Sequence, residues 1–189
     1  METWIALLRG INVGGRNRLS MESLRSIIAS IGGQHAATYI QSGNAVFLAE
    51  IASRASFAAD IAASIQQERG FSPAVRLITG NELDAAIRSN PFPDAAAEPT
   101  TLHLYFLDNR PDAARIARAE NLASVTESCE VIGRCLYLHA PDGIGRSRLA
   151  KGLDRALGTN TTARNWRTVL NIAELAKTVK HRRPSDGIQ

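Results

Sequence analysis

The apolar run Thr3–Arg9 is continuous rather than alternating. That is the pattern of a strand buried on both faces. A Gly- and Arg-rich loop, Gly10–Leu19, follows it. Ser20 can then cap a helix with Leu24, Ile27, Ile28 and Ile31 at i, i+3, i+4 and i+7, and Gly32-Gly33 stops that helix. Thr38–Gln41 and Asn44–Leu48 read as short strands around the hairpin signal Ser42-Gly43. Ser53–Arg69 is a second helix with Phe57, Ile61 and Ile65 on one face, ending at Gly70, and Ala74–Thr79 is a fourth strand. The order β-α-β-β-α-β is that of the ferredoxin-like plait. A short helix, Glu82–Ser89, and the turn Asn90–Pro93 close this half.

The pattern then starts again. Thr101–Leu107 is a strand, and Asp108 or Asn109 is expected to cap a helix with Pro111 in its first turn. Ser128–His139 reads as a hairpin turning at Gly133-Arg134. Arg146–Leu157 is a helix with Leu149, Leu153 and Leu157 on one face, and Gly158 ends it. Thr161–Arg164 is a short strand, Trp166–Lys180 a last helix, and His181–Gln189 a polar tail. The expected fold is therefore α+β, with two ferredoxin-like (α/β plait) subdomains in tandem, the second degenerate, and a C-terminal helix. Residues 1–93 form the first, 94–100 a linker, and 101–189 the second. The duplication is one of topology, since no sequence repeat is visible.

A chain of 189 residues is long enough to build its core without disulfides or a metal. The acidic N-terminus and the short apolar run Ile5–Leu8 do not fit a signal peptide or a membrane span, so a cytoplasmic location is expected. The hairpin register pairs Ile132 with Cys135 and Cys129 with Leu138, which sets the two cysteines on opposite faces. Their C-x5-C spacing is not that of a zinc site, and both read as small core residues. No metal or cofactor is expected. The formal net charge is +4, and 19 of the 22 basic residues are arginines. Residues 1–94 carry no net charge, whereas Arg134–Arg167 holds a local +5. Arginine suits bidentate phosphate or carboxylate binding, and an Arg-rich, Ala-rich chain also reflects genome base composition.

Three constellations suit an anionic ligand. The first is Arg9, Asn12, Gly14, Gly15, Arg16 and Asn17, in a loop that joins a strand to a helix N-terminus. Its spacing is not the dinucleotide fingerprint, and it also reads as a flexible loop with solvated arginines. The second is Gly143, Gly145, Arg146 and Ser147. Ala140 and Arg146 depart from the Walker A pattern, so a phosphate cradle competes with a capped helix whose N-cap is Ser147. The third is Arg164, Asn165 and Arg167, beside Trp166. The side chains of Gln41-Ser42-Gly43-Asn44 read as satisfying their own turn. In a plait the first and third strands are expected to run parallel, so the Arg9–Arg18 loop and the Gln41–Asn44 hairpin should emerge at opposite edges, and the Gly143–Ser147 loop at the corresponding C-terminal edge of the second half. A shared Arg-rich cleft between the halves is the working expectation. His103 and His139 fall on neighbouring strands. No catalytic triad, H-E-x-x-H or paired-acid motif is present.

Five motifs occur in order: Leu7-Leu8-Arg9-Gly10-Ile11-Asn12-Val13-Gly14-Gly15, Thr38-Tyr39-Ile40-Gln41-Ser42-Gly43-Asn44, Asn90-Pro91-Phe92-Pro93, Gly143-Ile144-Gly145-Arg146-Ser147 and Ala163-Arg164-Asn165-Trp166-Arg167-Thr168-Val169. In these the chain resembles the bacterial family known as domain of unknown function 1697. The family often carries Lys where Arg16, Arg18 and Arg148 stand, which preserves charge. The resemblance implies an α+β fold with ferredoxin-like parts, and it implies no activity. The functional expectation is binding of a phosphorylated or other anionic small ligand. The alternatives are a nucleic-acid-binding module, a small enzyme acting on a phosphorylated substrate with His103 or His139 as acid or base, and a partner-binding module. Against the nucleic-acid reading, Thr101–Leu107 is the only strand with adjacent aromatics, and it lacks the RNP1 pattern.

Overall fold

The computed structural model describes residues 1–181. The expected polar tail lies, beyond His181, outside the described residues. The elements are β1 (Glu2–Arg9), α1 (Met21–Ser30), β2 (Gln34–Tyr39), β3 (Asn44–Ala49), α2 (Arg54–Arg69), β4 (Ala74–Thr79), α3 (Gly80–Arg88), β5 (Leu102–Leu107), α4 (Ala113–Glu120), β6 (Ser128–Ile132), β7 (Cys135–His139), α5 (Arg148–Leu157), β8 (Thr161–Asn165) and α6 (Trp166–Lys180). The fold is α+β, with two four-stranded antiparallel sheets and six helices among the described residues. The chain divides into two compact units. One is Met1–Asp84 with Asn171–Gln189, of which the described part ends at His181, and the other is Ala85–Leu170.

In the first unit the strand order is β2-β3-β1-β4. β1 is central, antiparallel to β3 and to β4. Its continuous apolar run is explained by burial on both faces. Trp4, Ala6 and Leu8 join a core with Leu24, Ile27 and Ile28 of α1 and Ile61 and Ile65 of α2, while Ile5 and Leu7 on the opposite face are also buried. Ser20 caps α1 as its sequence implies, its side chain accepting from Ser23 N. Arg54, at the start of α2, lies over the Trp4 ring and bonds both carboxylate oxygens of Glu82 at 2.8 Å. α3 starts earlier than the apolar spacing suggests. Thr79 and Glu82 cap it reciprocally, with Glu82 N donating to Thr79 Oγ1 at 3.1 Å and Thr79 N to Glu82 Oε2 at 2.8 Å.

In the second unit the order is β6-β7-β5-β8, with β5 central. Tyr105, Leu107, Leu136 and Leu138 pack with Leu149, Leu153 and Leu157 of α5 and Ala119 of α4. The β6–β7 register pairs Ile132 with Cys135 and Cys129 with Leu138, as the two-residue turn requires, and both cysteines are free. Burial, then Glu120 and Glu127, push the Cys129 thiol up to about 11. Two helix starts differ from expectation. The cap of α4 is Asp112, accepting from Arg115 N at 2.8 Å, and not Asp108 or Asn109, so Pro111 precedes the helix. α5 begins at Arg148 because Ser147 is its cap. Within the segment expected as a linker, Asp94–Ala97 forms a single 3-10 turn.

The β2–β3 hairpin is clamped onto the end of β1. Leu8 N donates to Gly43 O at 2.8 Å. Gly43 has φ of +76°, and a Cβ there would lie 2.8 Å from Leu8 Cβ and 2.9 Å from Ile11 Cδ1. Asn44, fully buried, donates to Tyr39 O and Ser42 Oγ. The side chains of Ser42 and Asn44 therefore serve the turn. Gly43→Ala is expected to cost about 2–4 kcal/mol from left-handed strain plus overpacking. Calorimetry would read that as a melting temperature lower by roughly 5–15 °C, and an unchanged value would contradict the clamp.

Candidate functional site

β1 and β2 both run antiparallel to β3, so they run in the same direction as each other. Their C-terminal ends share one edge of the sheet. The expectation that the Arg9–Arg18 loop and the Gln41–Asn44 hairpin lie at opposite edges is therefore corrected. It rested on parallel first and third strands, whereas β1 and β3 are antiparallel.

The two segments meet through Asn12. Its Nδ2 donates to Gln41 O at 2.7 Å and to Leu19 O at 2.9 Å, and its Oδ1 accepts from Leu19 N at 2.9 Å. Asn12 N donates to Asn17 O at 3.0 Å, and Asn17 Nδ2 donates to Gly10 O at 2.8 Å. Between them Val13 and Arg16 form a β-bridge, closed by Arg16 N to Val13 O at 3.0 Å. Gly14 and Gly15 have φ of +58° and +76°. Two successive positive φ values are what a type I′ turn needs, and Gly-Gly supplies them without strain. The loop is thus a pinned miniature hairpin. Asn12, Asn17, Gly14 and Gly15 build it, and Arg16 and Arg18 are exposed on it.

A groove of about 490 Å³ opens here, lined by Asn12, Gly15, Arg18, Leu19, Ser20, Gln41 and Arg69. Ser20 is the cap of α1, so the positive end of the helix dipole faces this region. Arg69, in the last turn of α2, bonds Ser23 Oγ and pairs with Glu68 at 2.9 Å. Among the described residues lining the groove there is no carboxylate. Arg9 is exposed at the end of β1 and is not among the lining residues. Sequence reasoning passed over Arg69. The signal was topological, because in the order β-α-β-β-α the second helix ends at the edge where the first begins.

The Gly143–Ser147 loop is placed differently from expectation. It follows β7, which runs antiparallel to β5, so it emerges at the edge opposite the C-terminal end of β5. Ser147 is buried, and its Oγ accepts from Ala150 N at 2.9 Å. A cleft of about 270 Å³ is lined there by Ser124, Glu127, Ala140, Asp142, Gly143, Arg146, Ser147 and Arg148. Asp142 accepts from Thr126 Oγ1 at 2.6 Å and Glu127 from Ser124 N at 2.8 Å. Two carboxylates therefore offset two guanidinium groups. Gly145 is exposed and is not among the lining residues.

In the third constellation, Asn165 caps α6, its Oδ1 accepting from Thr168 N at 2.9 Å. Arg164 Nη1 donates to Ala163 O at 2.7 Å, and burial lowers its guanidinium to about 10. Arg167 is exposed, and its backbone N donates to Pro99 O at 3.2 Å. Trp166 is buried. Tyr105 and Phe106 of β5 are also buried and offer no stacking face.

His103 and His139 lie on adjacent strands, but the register pairs His103 with Leu138 and Leu102 with His139. Alternation sends the two imidazoles to opposite faces. Burial holds His103 below its ordinary pKa, outweighing the contact of Nδ1 with Thr101 O at 3.4 Å. No helix among the described residues is long and apolar enough to cross a membrane.

Two outcomes are expected. Asn12→Ala removes three side-chain hydrogen bonds and leaves Gln41 O and Leu19 O short of a donor, at a cost of about 2–3 kcal/mol by urea unfolding. His103 resists protonation more when folded than when unfolded, so protonation favours the unfolded chain. Stability should fall as pH drops through about 6.5 and be fully present above it. His103→Gln should flatten that part of a melting-temperature profile, and an unaltered profile would exclude His103 as its source.

The structure is similar to that of the conserved bacterial protein SP0830 from Streptococcus pneumoniae, with a TM-score of 0.73 and 22% sequence identity over 93% of this chain and 98% of that one. No curated protein matches the chain. The family model described as "Protein of unknown function (DUF1697)" matches residues 1–137. With most of its length and its first three motifs inside that match, the chain belongs to the domain of unknown function 1697 family.

Proposed function

We propose that the groove at the C-terminal edge of the first sheet binds a phosphorylated or other anionic small ligand. The observation that carries this reading is the charge of its lining. Arg18 and Arg69 flank the N-terminus of α1, and no carboxylate stands among the described lining residues, the nearby Glu68 being paired with Arg69 at 2.9 Å from outside the lining. An anion there gains charge-assisted hydrogen bonds and the helix dipole. The miniature hairpin bears Arg16 beside the groove and holds the backbone in place before any ligand arrives. Such pre-organisation lowers the entropic cost of binding. The cleft at Gly143, Arg146 and Ser147 is the weaker candidate, because Asp142 and Glu127 oppose its arginines. Arg164 and Asn165 are engaged in backbone bonds and a helix cap, which argues for a structural role. The same reading takes each unit as a ferredoxin-like plait, on the ground that each has its central strand flanked in the order β2-β3-β1-β4 or β6-β7-β5-β8.

Methyl phosphate is a suitable probe, being small and dianionic near neutral pH. Titration of the full chain should give saturable amide shifts at Gly15, Ser20 and Ser23. Arg18→Ala should weaken binding about tenfold, the worth of one charge-assisted hydrogen bond, and Arg146→Ala should leave it unchanged. Absence of saturable binding, or equal binding by Arg18→Ala, would overturn the proposal.

A further inference from the structure

α4 and α5 cover one face of the second sheet, and three close approaches fix how they lie together. Arg115 Nη1, near the start of α4, reaches Gly158 O at the end of α5 at 3.5 Å. Gly152, midway along α5, stands so close to Leu122, just past the end of α4, that a Cβ on it would lie 2.8 Å from Leu122 Cδ1. Ser124 and Glu127 then meet Arg148, the first residue of α5, in the small cleft described above. The helices are therefore antiparallel. In that register Arg118 of α4 comes level with Arg155 of α5. Arg115 stands one turn to one side of this pair and Lys151 one turn to the other.

The helical period turns these four bases outward along the seam. α5 buries Leu149, Leu153, Ala156 and Leu157, and at about 100° per residue Lys151 and Arg155 fall on the opposite side. On α4, Arg115 and Arg118 share the flank that reaches α5, and the same period sends Glu120 to the other flank, toward Cys129. All four bases are exposed. The side chains of Arg118, Lys151 and Arg155 make no ion pair or hydrogen bond among the described residues, and Arg115 pairs with Asp112 at 3.5 Å. Asp154, the remaining acid of α5, accepts from Thr161 Oγ1 at 2.7 Å. Arg148 continues the row toward Asp142 and Glu127, which offset it. The other exposed side chains of α4 include Ala113, Ala114 and Ala117, which are too small to hold a partner away from the arginines.

The chemistry of this face selects its partner. The exposed large apolar residues among those described are Met1, Val13, Ile40, Val125 and Leu170, and none lies on α4 or α5. The face therefore lacks the anchors of a membrane-inserting helix or a protein hot spot. Neither helix carries a Phe, Tyr or Trp on which an unpaired base could stack. What it offers is a row of cations about 10 Å long. A nucleic-acid strand carries a phosphate about every 3.4 Å along the duplex axis, so the row spans about three to four of them. We propose that the α4–α5 face binds the phosphate backbone of a nucleic-acid duplex without reading its sequence. It shares no residue with the groove of the first unit, and the two proposals stand or fall separately.

Fluorescence anisotropy of the full chain with a labelled, mixed-sequence DNA duplex of about 20 base pairs tests this. Binding should saturate at about 50 mM salt. The logarithm of the association constant should fall against that of salt with a slope of about −3 to −4, about a hundredfold by 200 mM. Arg118→Gln combined with Arg155→Gln should bring the slope to about −2 and shrink that loss to about tenfold. Lys151→Gln alone should lower the slope by about one. Arg118→Lys combined with Arg155→Lys should keep it, because charge and not packing is at work. Arg88→Gln, at an exposed arginine of α3, should leave it unaltered. No saturable binding at the lower salt, or a slope that the Gln pair and Lys151→Gln both leave intact, overturns the inference, and neither result bears on methyl phosphate in the groove. Tighter binding of a single strand of the same length overturns it in favour of unpaired nucleic acid. Binding to phosphatidylserine vesicles in place of the duplex overturns it in favour of a membrane surface.

Discussion

Three stretches of the first unit are tied together by the carboxamide of Asn12. It reaches Leu19 at the entry to α1, Gln41 in the β2–β3 hairpin, and through its backbone Asn17 across the miniature hairpin. Both amide protons and the oxygen are satisfied, and the residue sits half-buried in a left-handed conformation that few other side chains adopt. The groove walls, the start of α1 and the exposed arginines all take their positions from this junction. A loop rich in glycine is ordinarily the place where a chain is least determined. Here the glycines serve a tight turn, and the asparagines on either side close it.

The two units use the same joint for different ends. Leu8 N bonds Gly43 O in the first, and Leu107 N bonds Arg134 O in the second, so each central strand is locked to the hairpin turn at its C-terminal end. The loops leaving the two central strands differ. In the first unit the loop carries Arg9, Arg16 and Arg18, and in the second it carries Asp108, Arg110 and Asp112, with Asp112 committed to capping α4. A repeated scaffold thus presents opposite local charge at equivalent places. That divergence is expected when stability rests on the shared core and function on loops.

Local rules made much of the fold legible. The buried run at β1, the Ser20 and Ser147 caps, the register that separates Cys129 from Cys135, and the bounds of β4 and α6 follow from periodicity and turn chemistry. The start of α4 was less legible because three residues with capping side chains, Asp108, Asn109 and Asp112, compete around Pro111. The site was harder to read because it depends on direction and distance. Asn12 stands in its loop as a ligand-binding side chain would, and its partners, backbone groups seven and twenty-nine residues away, leave no trace in composition. The convergence of the loop with the hairpin required the strand directions to be right, and Arg69 enters only once two helices are known to meet at their ends.

The type I′ turn at Gly14-Gly15 is also a ruler. Its two residues fix the count between Val13 and Arg16, and with it the way each later side chain faces. An added residue would leave every side chain intact and still rotate Arg16 and Arg18 relative to Asn12. Under the proposed anion reading, relatives that bind the same ligand should vary less in the length of this loop than in its letters, because the spacing of the chain sets where its arginines stand.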